Sequence, residues 1–340
     1  MSRNQERKPL QVRVIGHNGE LEFPFADSIA WGAFSHELLA AGHKICGANP
    51  EEKMDLLIAN FHSEKVLAQI EKNLPPKSRR HLILWEPEVV ESTRYTKQVL
   101  NQYGHVHAPS ILWAKKVGGK EFNWPQGSII PDDSVTSNWF NREHKVVLIQ
   151  GNKFSSRKGE LYSLRRRIIK SIRASDLALF GTDWNRGFIF DLNNWLQSAA
   201  TTSLNLFALS SLGNIGRWYQ NYNGEVKDKN ATLKNYQISL VVENSADFVS
   251  EKLFDSLRAG CVTVYVGPSL ELFGLPKSVA IQVQAKVSNV KSEIERLLRT
   301  SPEELLEIAS SQRGAIELVS HEWNNIHVLR NLAKKIIKEN

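Results

Sequence analysis

Short, almost unbroken apolar runs recur along this chain, each closed by a polar turn and followed by a stretch of helical periodicity. Runs of this kind belong to strands buried on both faces, which is the condition of parallel sheets covered by helices. QVRVIG (11–16), DLLIANF (55–61) and HLILWEP (81–87) form a first series, with SIAWGAFSHELLAAG (28–42) as a helix closed by Gly42. HKVVLIQG (144–151), DLALFG (176–181), YQISLVVEN (236–244), CVTVYVG (261–267) and AIQVQ (280–284) form a second. GELYSLRRRIIKSIR (159–173) and SEKLFDSLRAG (250–260) supply helices between them.

Between the two series, Pro125 to Glu143 is rich in Pro, Gly, Asp, Ser and Asn, which marks a junction. A chain of 340 residues also exceeds one ordinary domain. The expected fold is therefore α/β, with two Rossmann-like domains facing across a cleft and a C-terminal helical tail. The boundaries read as 1–135 for the first domain, 136–143 for a linker, 144–315 for the second domain and 316–340 for the tail. In such open sheets ligands bind beyond the carboxyl ends of the strands.

Composition narrows the class of function. The two cysteines lie far apart, the opening MSRNQERKPLQ is polar, and no apolar run approaches the roughly 18 residues of a membrane span. A cytoplasmic protein is expected. The net charge of +7 is spread along the chain without a zinc-finger spacing or an RNP-like aromatic stripe, so nucleic acid is not expected as a partner. The basic, amphipathic HVLRNLAKKIIKEN suits either peripheral contact with an anionic membrane, at the inner membrane surface, or packing back across the two domains.

The densest chemistry lies in VVENSADFVSEKLFDSLRAGCVTVYVGPS (241–269). A strand delivers Glu243 and Asn244 to its carboxyl end, a short turn follows, and a helix starts with Ser250 or Asp247 as N-cap. A helix N-terminus with Lys252 in its first turn suits a pyrophosphate, and the neighbouring carboxylates suit sugar hydroxyls. The same letters also describe plain capping, with Glu251 complementing the helix dipole.

The order strand, Glu-Asn, short turn, Ser-Glu-Lys-Leu, helix, Ala-Gly, strand, Gly-Pro-Ser resembles the donor motif of the family 10 fucosyltransferases, which transfer fucose with inversion and have the two-domain GT-B fold. The resemblance implies an α-1,3/1,4-type enzyme of bacterial type using GDP-fucose and an acceptor oligosaccharide. It implies that Lys252 neutralises the diphosphate, that Glu251 contacts nucleoside or fucose hydroxyls, and that Asn244 and Phe248 line the pocket. Glu243 and Ser250 complete the donor set. The turn between Glu243 and Glu251 is about two residues shorter than the family form, and Phe248 stands where the family has tyrosine. A GT-B enzyme for another nucleotide sugar, or a nucleotide-sugar-binding protein without catalysis, would carry much of the same pattern.

The family also places an arginine on the first helix of the donor domain. Leu161, Leu164, Ile168, Ile169 and Ile172 define one apolar arc at helical spacing, and Arg165 falls inside it while Arg166 and Arg167 point away. An arginine on a buried face needs a partner, either a phosphate or an acidic neighbour. Arg165 is the expected phosphate ligand, with Arg166 as second choice.

Inverting transfer needs a base for the attacking hydroxyl. The strand HLILWEPE ends in Trp85, Glu86, Pro87 and Glu88, and the family's proposed base is a glutamate at such a strand end shortly before a proline. Glu86 matches it, beside a tryptophan able to raise its pKa and stack on a sugar. Glu88, two residues on and on the same side by alternation, is the other candidate. His17, Asn18, Asn60 and His62 follow the first two strands, and Trp31, Trp113 and Trp124 are either a sugar platform or core. His105 and His107 share a strand without a third ligand in view, and Asp132-Asp133 lies in the junction. No metal and no cofactor is expected, since Arg, Lys and a helix dipole handle the leaving charge.

Overall fold

The computed structural model describes residues 8–16, 19–21, 29–128, 138–185 and 219–340, which fall into two compact units: Met1–Gly127 with His321–Asn340, and Ser128–Ser320. His17, Asn18, Asp132 and Asp133 lie outside the described residues.

The first unit runs β1 (Gln11–Ile15), α1 (Ile29–Ala40), β2 (Lys44–Ile45), β3 (Leu56–Ala59), α2 (Glu64–Gln69), β4 (Arg80–Ile83), α3 (Lys97–Leu100), β5 (His105–Ala108), α4 (Ile111–Val117) and β6 (Lys120–Glu121). The second runs β7 (Glu143–Ile149), α5 (Tyr162–Ser171), β8 (Leu177–Phe180), α6 (Lys229–Leu233), β9 (Tyr236–Val242), α7 (Glu251–Arg258), β10 (Val262–Val266), β11 (Ile281–Gln282), α8 (Val287–Leu297) and α9 (Pro302–Glu317). The short α10 (Ser320–Trp323) then leads to α11 (Asn325–Glu339).

Both sheets are parallel throughout, ordered β2-β1-β3-β4-β5-β6 and β11-β10-β9-β7-β8. Counted in chain order within its own sheet, each reads 2-1-3-4-5, the first adding one more strand. Crossovers from the first strand go one way and those from the third the other, so a crevice opens between β1 and β3 and between β7 and β9. In the first unit Val12, Val14, Ile58 and Ile83 pack against Phe34 and Leu38 of α1 and Leu329, Leu332 and Ile336 of α11. In the second, Val146, Leu148, Leu240 and Val264 pack against Ile168 and Ile169 of α5 and Ile294 and Leu297 of α8. The continuous apolar runs are thus β-core because both faces are covered.

Two boundaries differ from the sequence expectation. Residues 139–143 are part of the second unit rather than a linker. Trp139 is fully buried with its indole N–H on the Pro302 carbonyl, 2.8 Å, and the Arg142 guanidinium donates to the Ala259 carbonyl, 3.0 Å. The tail belongs to the first unit. Its apolar face (Val328, Leu329, Leu332, Ala333, Ile336) is buried in the first unit against α1, so that face is spent on a core and not offered to a lipid surface. Among the described residues no helix is long and apolar enough to cross a membrane, and both cysteines are free and buried.

Candidate functional site

In the second unit the two strands flanking the crevice, β7 and β9, end at Ile149 and Val242. The loops that leave them are tied together. Leu161 N–H donates to the Asn244 carbonyl at 3.0 Å, Ala246 N–H to the Gly159 carbonyl at 2.9 Å, and Glu160 bridges Ser245 antiparallel. A ligand at this end of the sheet meets a preformed pair of loops.

Arg165 is what locks them. One turn into α5 and 1% exposed, its guanidinium reaches the Gly151 carbonyl (3.0 Å), the Val242 carbonyl (2.8 Å), the Glu243 carbonyl (3.2 Å) and Asn244 Oδ1 (3.2 Å). The helical phase correctly makes Arg165 a buried arginine. Its protein partners are backbone carbonyls at the strand ends together with the Asn244 carboxamide. Burial lowers its pKa to about 10, leaving the cation intact at neutral pH. Arg166 lies on the neighbouring face, its guanidinium 3.8 Å over the Phe154 ring and 2.6 Å from the Lys153 carbonyl.

Glu243 is fully buried at the end of β9, and its carboxylate accepts from Ser250 N–H (2.9 Å) and Ser250 Oγ (2.7 Å). Ser250 is the N-cap of α7, accepting from Lys252 N–H, so Ser250 and not Asp247 fills the role. The capping arrangement is therefore real, and Glu243 takes part in it through Ser250. Burial raises the Glu243 carboxyl, with Lys252 and the Ser250 donors pulling it back. Gly267 is required here: a Cβ on it would sit 2.8 Å from Glu243 Cγ. That is the packing reason for the glycine of Gly-Pro-Ser.

Lys252 is 15% exposed, and its ammonium donates to Ser250 Oγ at 3.0 Å, taking one of its three N–H donors. Glu251, 41% exposed, lies 3.6 Å from Lys252 Nζ and 3.5 Å from Lys229 Nζ. Its burial acts to raise the carboxyl, but Lys252 and Lys229 together hold it below the ordinary value. Lys229, which also lies 3.9 Å from Asp255, is a member of this array that sequence reading missed, because it comes from α6 and no local pattern links it to α7. Phe248 is buried at 2% exposure and Asn244 is half-buried.

The first unit is more sparing. Glu86 follows β4, half-buried, its carbonyl accepting from Tyr95 Oη at 2.7 Å. Glu88 is ion-paired to Lys116 of α4. The alternation argument linking the two fails, because Pro87 starts a turn: Val90 and Glu91 N–H both return to its carbonyl. Trp85 turns inward, edge-on to Trp31, Phe122 and Trp124, so it serves the core and offers no sugar platform. Trp113 is likewise buried. His62 is held by Tyr103 Oη (3.0 Å) and Glu64 (3.2 Å). Asn60 ends β3 at the first sheet's crevice, 1% exposed, with no hydrogen bond to either carboxamide atom.

With this geometry described, likeness to known proteins bears on the fold. No family model matches the chain. A crystal structure of an α1,3-fucosyltransferase superposes with a TM-score of 0.54 at 14% identity, covering 100% of this chain and 90% of that one. The Anabaena protein Alr3699/HepE, determined in complex with UDP-glucose, gives 0.54 at 12% identity over 97% of this chain and 100% of that one. A trehalose-6-phosphate synthase gives 0.52 at 11% identity, covering 92% and 84%. The chain has the GT-B fold of glycosyltransferases. In sequence, a putative fucosyltransferase-like protein of Arabidopsis thaliana is 46% identical over 59 residues, a stretch spanning 17% of this chain and 11% of that protein.

Proposed function

We propose that the protein is an inverting glycosyltransferase that moves fucose from GDP-fucose to a hydroxyl of an acceptor glycan. The observation that carries this reading is Lys252. Its ammonium is held at the N-terminus of α7, on the carboxyl side of a doubly wound sheet, within the Glu-Asn…Ser-Glu-Lys sequence that resembles the fucosyltransferase donor motif. The GT-B fold, and the partial match to a fucosyltransferase-like protein, support the same reading.

In this mechanism the donor diphosphate lies against Lys252. As the acceptor oxygen bonds to the anomeric carbon, the bond from that carbon to the diphosphate oxygen breaks, and the departing charge is stabilised by the ammonium in a partly buried setting. The hydroxyl proton passes to a carboxylate, which we assign to Glu86. Arg165 acts as a positioning residue, holding the two donor loops without touching the donor. Glu251 faces the sugar or ribose hydroxyls, its charge maintained by Lys252 and Lys229.

The deciding experiment is calorimetric titration of the purified protein with GDP, GDP-fucose, GDP-mannose and UDP, with and without EDTA. Preference for GDP and GDP-fucose, unchanged by EDTA, upholds the proposal. Preference for UDP moves the chain to another donor, a reading favoured by the complexes of HepE with UDP and UDP-glucose. No binding of any nucleotide removes both.

A further inference from the structure

His105 and His107 show no third ligand along their own strand, but the fold brings two more groups to them. β4 pairs beside β5 and sets His81 opposite His105, and α11 ends with Glu339 over both strands. His81 Nδ1 lies 2.9 Å from His107 Nε2. Glu339 Oε2 is 3.7 Å from His81 Nδ1, 3.9 Å from His107 Nε2 and 3.2 Å from His105 Nδ1. The three imidazoles are stacked, His81 against His105 at 4.4 Å and against His107 at 5.3 Å. His81 and His107 are fully buried, and the Glu339 side chain is 11% exposed.

The hydrogen bonds of this cluster are incomplete in a telling way. His105 Nε2 faces the Ser78 carbonyl at 3.0 Å, and its Nδ1 lies 3.2 Å from Glu339 Oε2, an oxygen buried without a hydrogen bond. His107 Nδ1 and Asn340 Oδ1 are likewise buried and unbonded.

For a tetrahedral ion with bonds of about 2.0–2.1 Å, ligand atoms lie about 3.3 Å apart. The separations above, from 2.9 to 3.9 Å, bracket that figure. We propose that His81, His107 and Glu339 bind a divalent transition-metal ion of the Zn²⁺ type, tying the end of α11 to β4 and β5. Imidazole with one carboxylate suits such an ion better than Mg²⁺ or Ca²⁺. Lys120 ion-pairs with the other oxygen, Oε1, which orients Oε2 toward the imidazoles while its charge lowers the affinity. Asn340 Nδ2 faces His81 Nε2 at 3.0 Å, so ligation through Nδ1 moves the ring proton to Nε2 and requires the Asn340 carboxamide to turn over and present the now unbonded Oδ1.

The test uses the full chain after EDTA treatment and dialysis. Zn²⁺ is titrated by calorimetry and Co²⁺ by visible absorption, whose d–d bands report tetrahedral coordination. The proposal expects one ion per chain, a tetrahedral cobalt spectrum and a higher melting temperature with Zn²⁺. His107→Ala should weaken binding by roughly 100-fold. Should that variant not fold, the less buried Glu339 decides: Glu339→Gln should weaken binding at least about tenfold and lose the melting shift. No Zn²⁺ binding by the wild type, or undiminished affinity in Glu339→Gln, overturns the site. GDP titration of the same samples is an independent readout, since the proposed donor residues belong to the other unit.

Discussion

Arg165 donates at 2.8 Å to the carbonyl of Val242, the last residue of β9, and so joins the helix after β7 to the end of the neighbouring strand. Replacing Arg165 with Ala leaves the Gly151, Val242 and Glu243 carbonyls without this donor at a buried site. The expected loss is about 1–3 kcal/mol for each carbonyl left without a partner, by chemical denaturation. GDP affinity should fall with it. A loss below about 0.5 kcal/mol would show that the two loops hold together without the guanidinium.

Lys252→Ala is expected to behave differently. The ammonium is 15% exposed, donates to Ser250 Oγ and lies 3.6 Å from the half-exposed Glu251, so stability should move by about 1 kcal/mol or less. Turnover should fall by roughly 10²–10³ if Lys252 meets the departing diphosphate. Steady-state transfer assays check this, and a wild-type rate removes the residue from the mechanism.

Ser250→Ala removes both the α7 cap and the hydroxyl donor to Glu243 while keeping the backbone N–H bond. About 1–3 kcal/mol of destabilisation is expected in urea melts. Ser250→Thr, which keeps a hydroxyl, should recover part of it.

Glu243 also sets a pH dependence. Burial places its folded pKa above the ordinary value of 4.5, so the native state holds this proton more firmly than the unfolded chain. Its contribution to stability is complete below about 4.5 and is lost as pH rises through the folded value. The stability of the wild type minus that of Glu243→Gln should therefore decline from pH 4.5 upward. A difference that does not vary with pH would mean the carboxyl titrates as in the unfolded chain.

Glu86→Gln should abolish transfer and leave GDP binding intact, whereas Glu88→Gln should chiefly release Lys116. The reverse pattern, measured by turnover and calorimetry on both variants, would pass the role of base to Glu88.

The strands and the capped start of α7 were legible because they are written in local periods: β9 is apolar at every position, and Ser250 precedes a helix of clear amphipathicity. The burial of Arg165 was legible for the same reason, from its phase on α5. What the phase does not encode is the partner, and the carbonyls it meets lie up to 78 residues away. Trp85 shows a related limit, since a residue beyond a strand end turns by contacts with Trp31 and Trp124 that no spacing foretells. His81 and Glu339 were invisible as partners of His107 because strand pairing and the return of α11 bring them there.

The return of α11 orders events on the ribosome. Phe34 and Leu38 of α1 complete their packing only with Leu329, Leu332 and Ile336, so the first unit cannot close until that helix has been made. About 200 residues separate Gly127 from Leu329, so at about 5–20 residues per second the wait is on the order of ten seconds or more. During that interval the half encoded first holds an uncovered hydrophobic surface while the half encoded second is still being made, which makes the nascent first half the natural client of a chaperone.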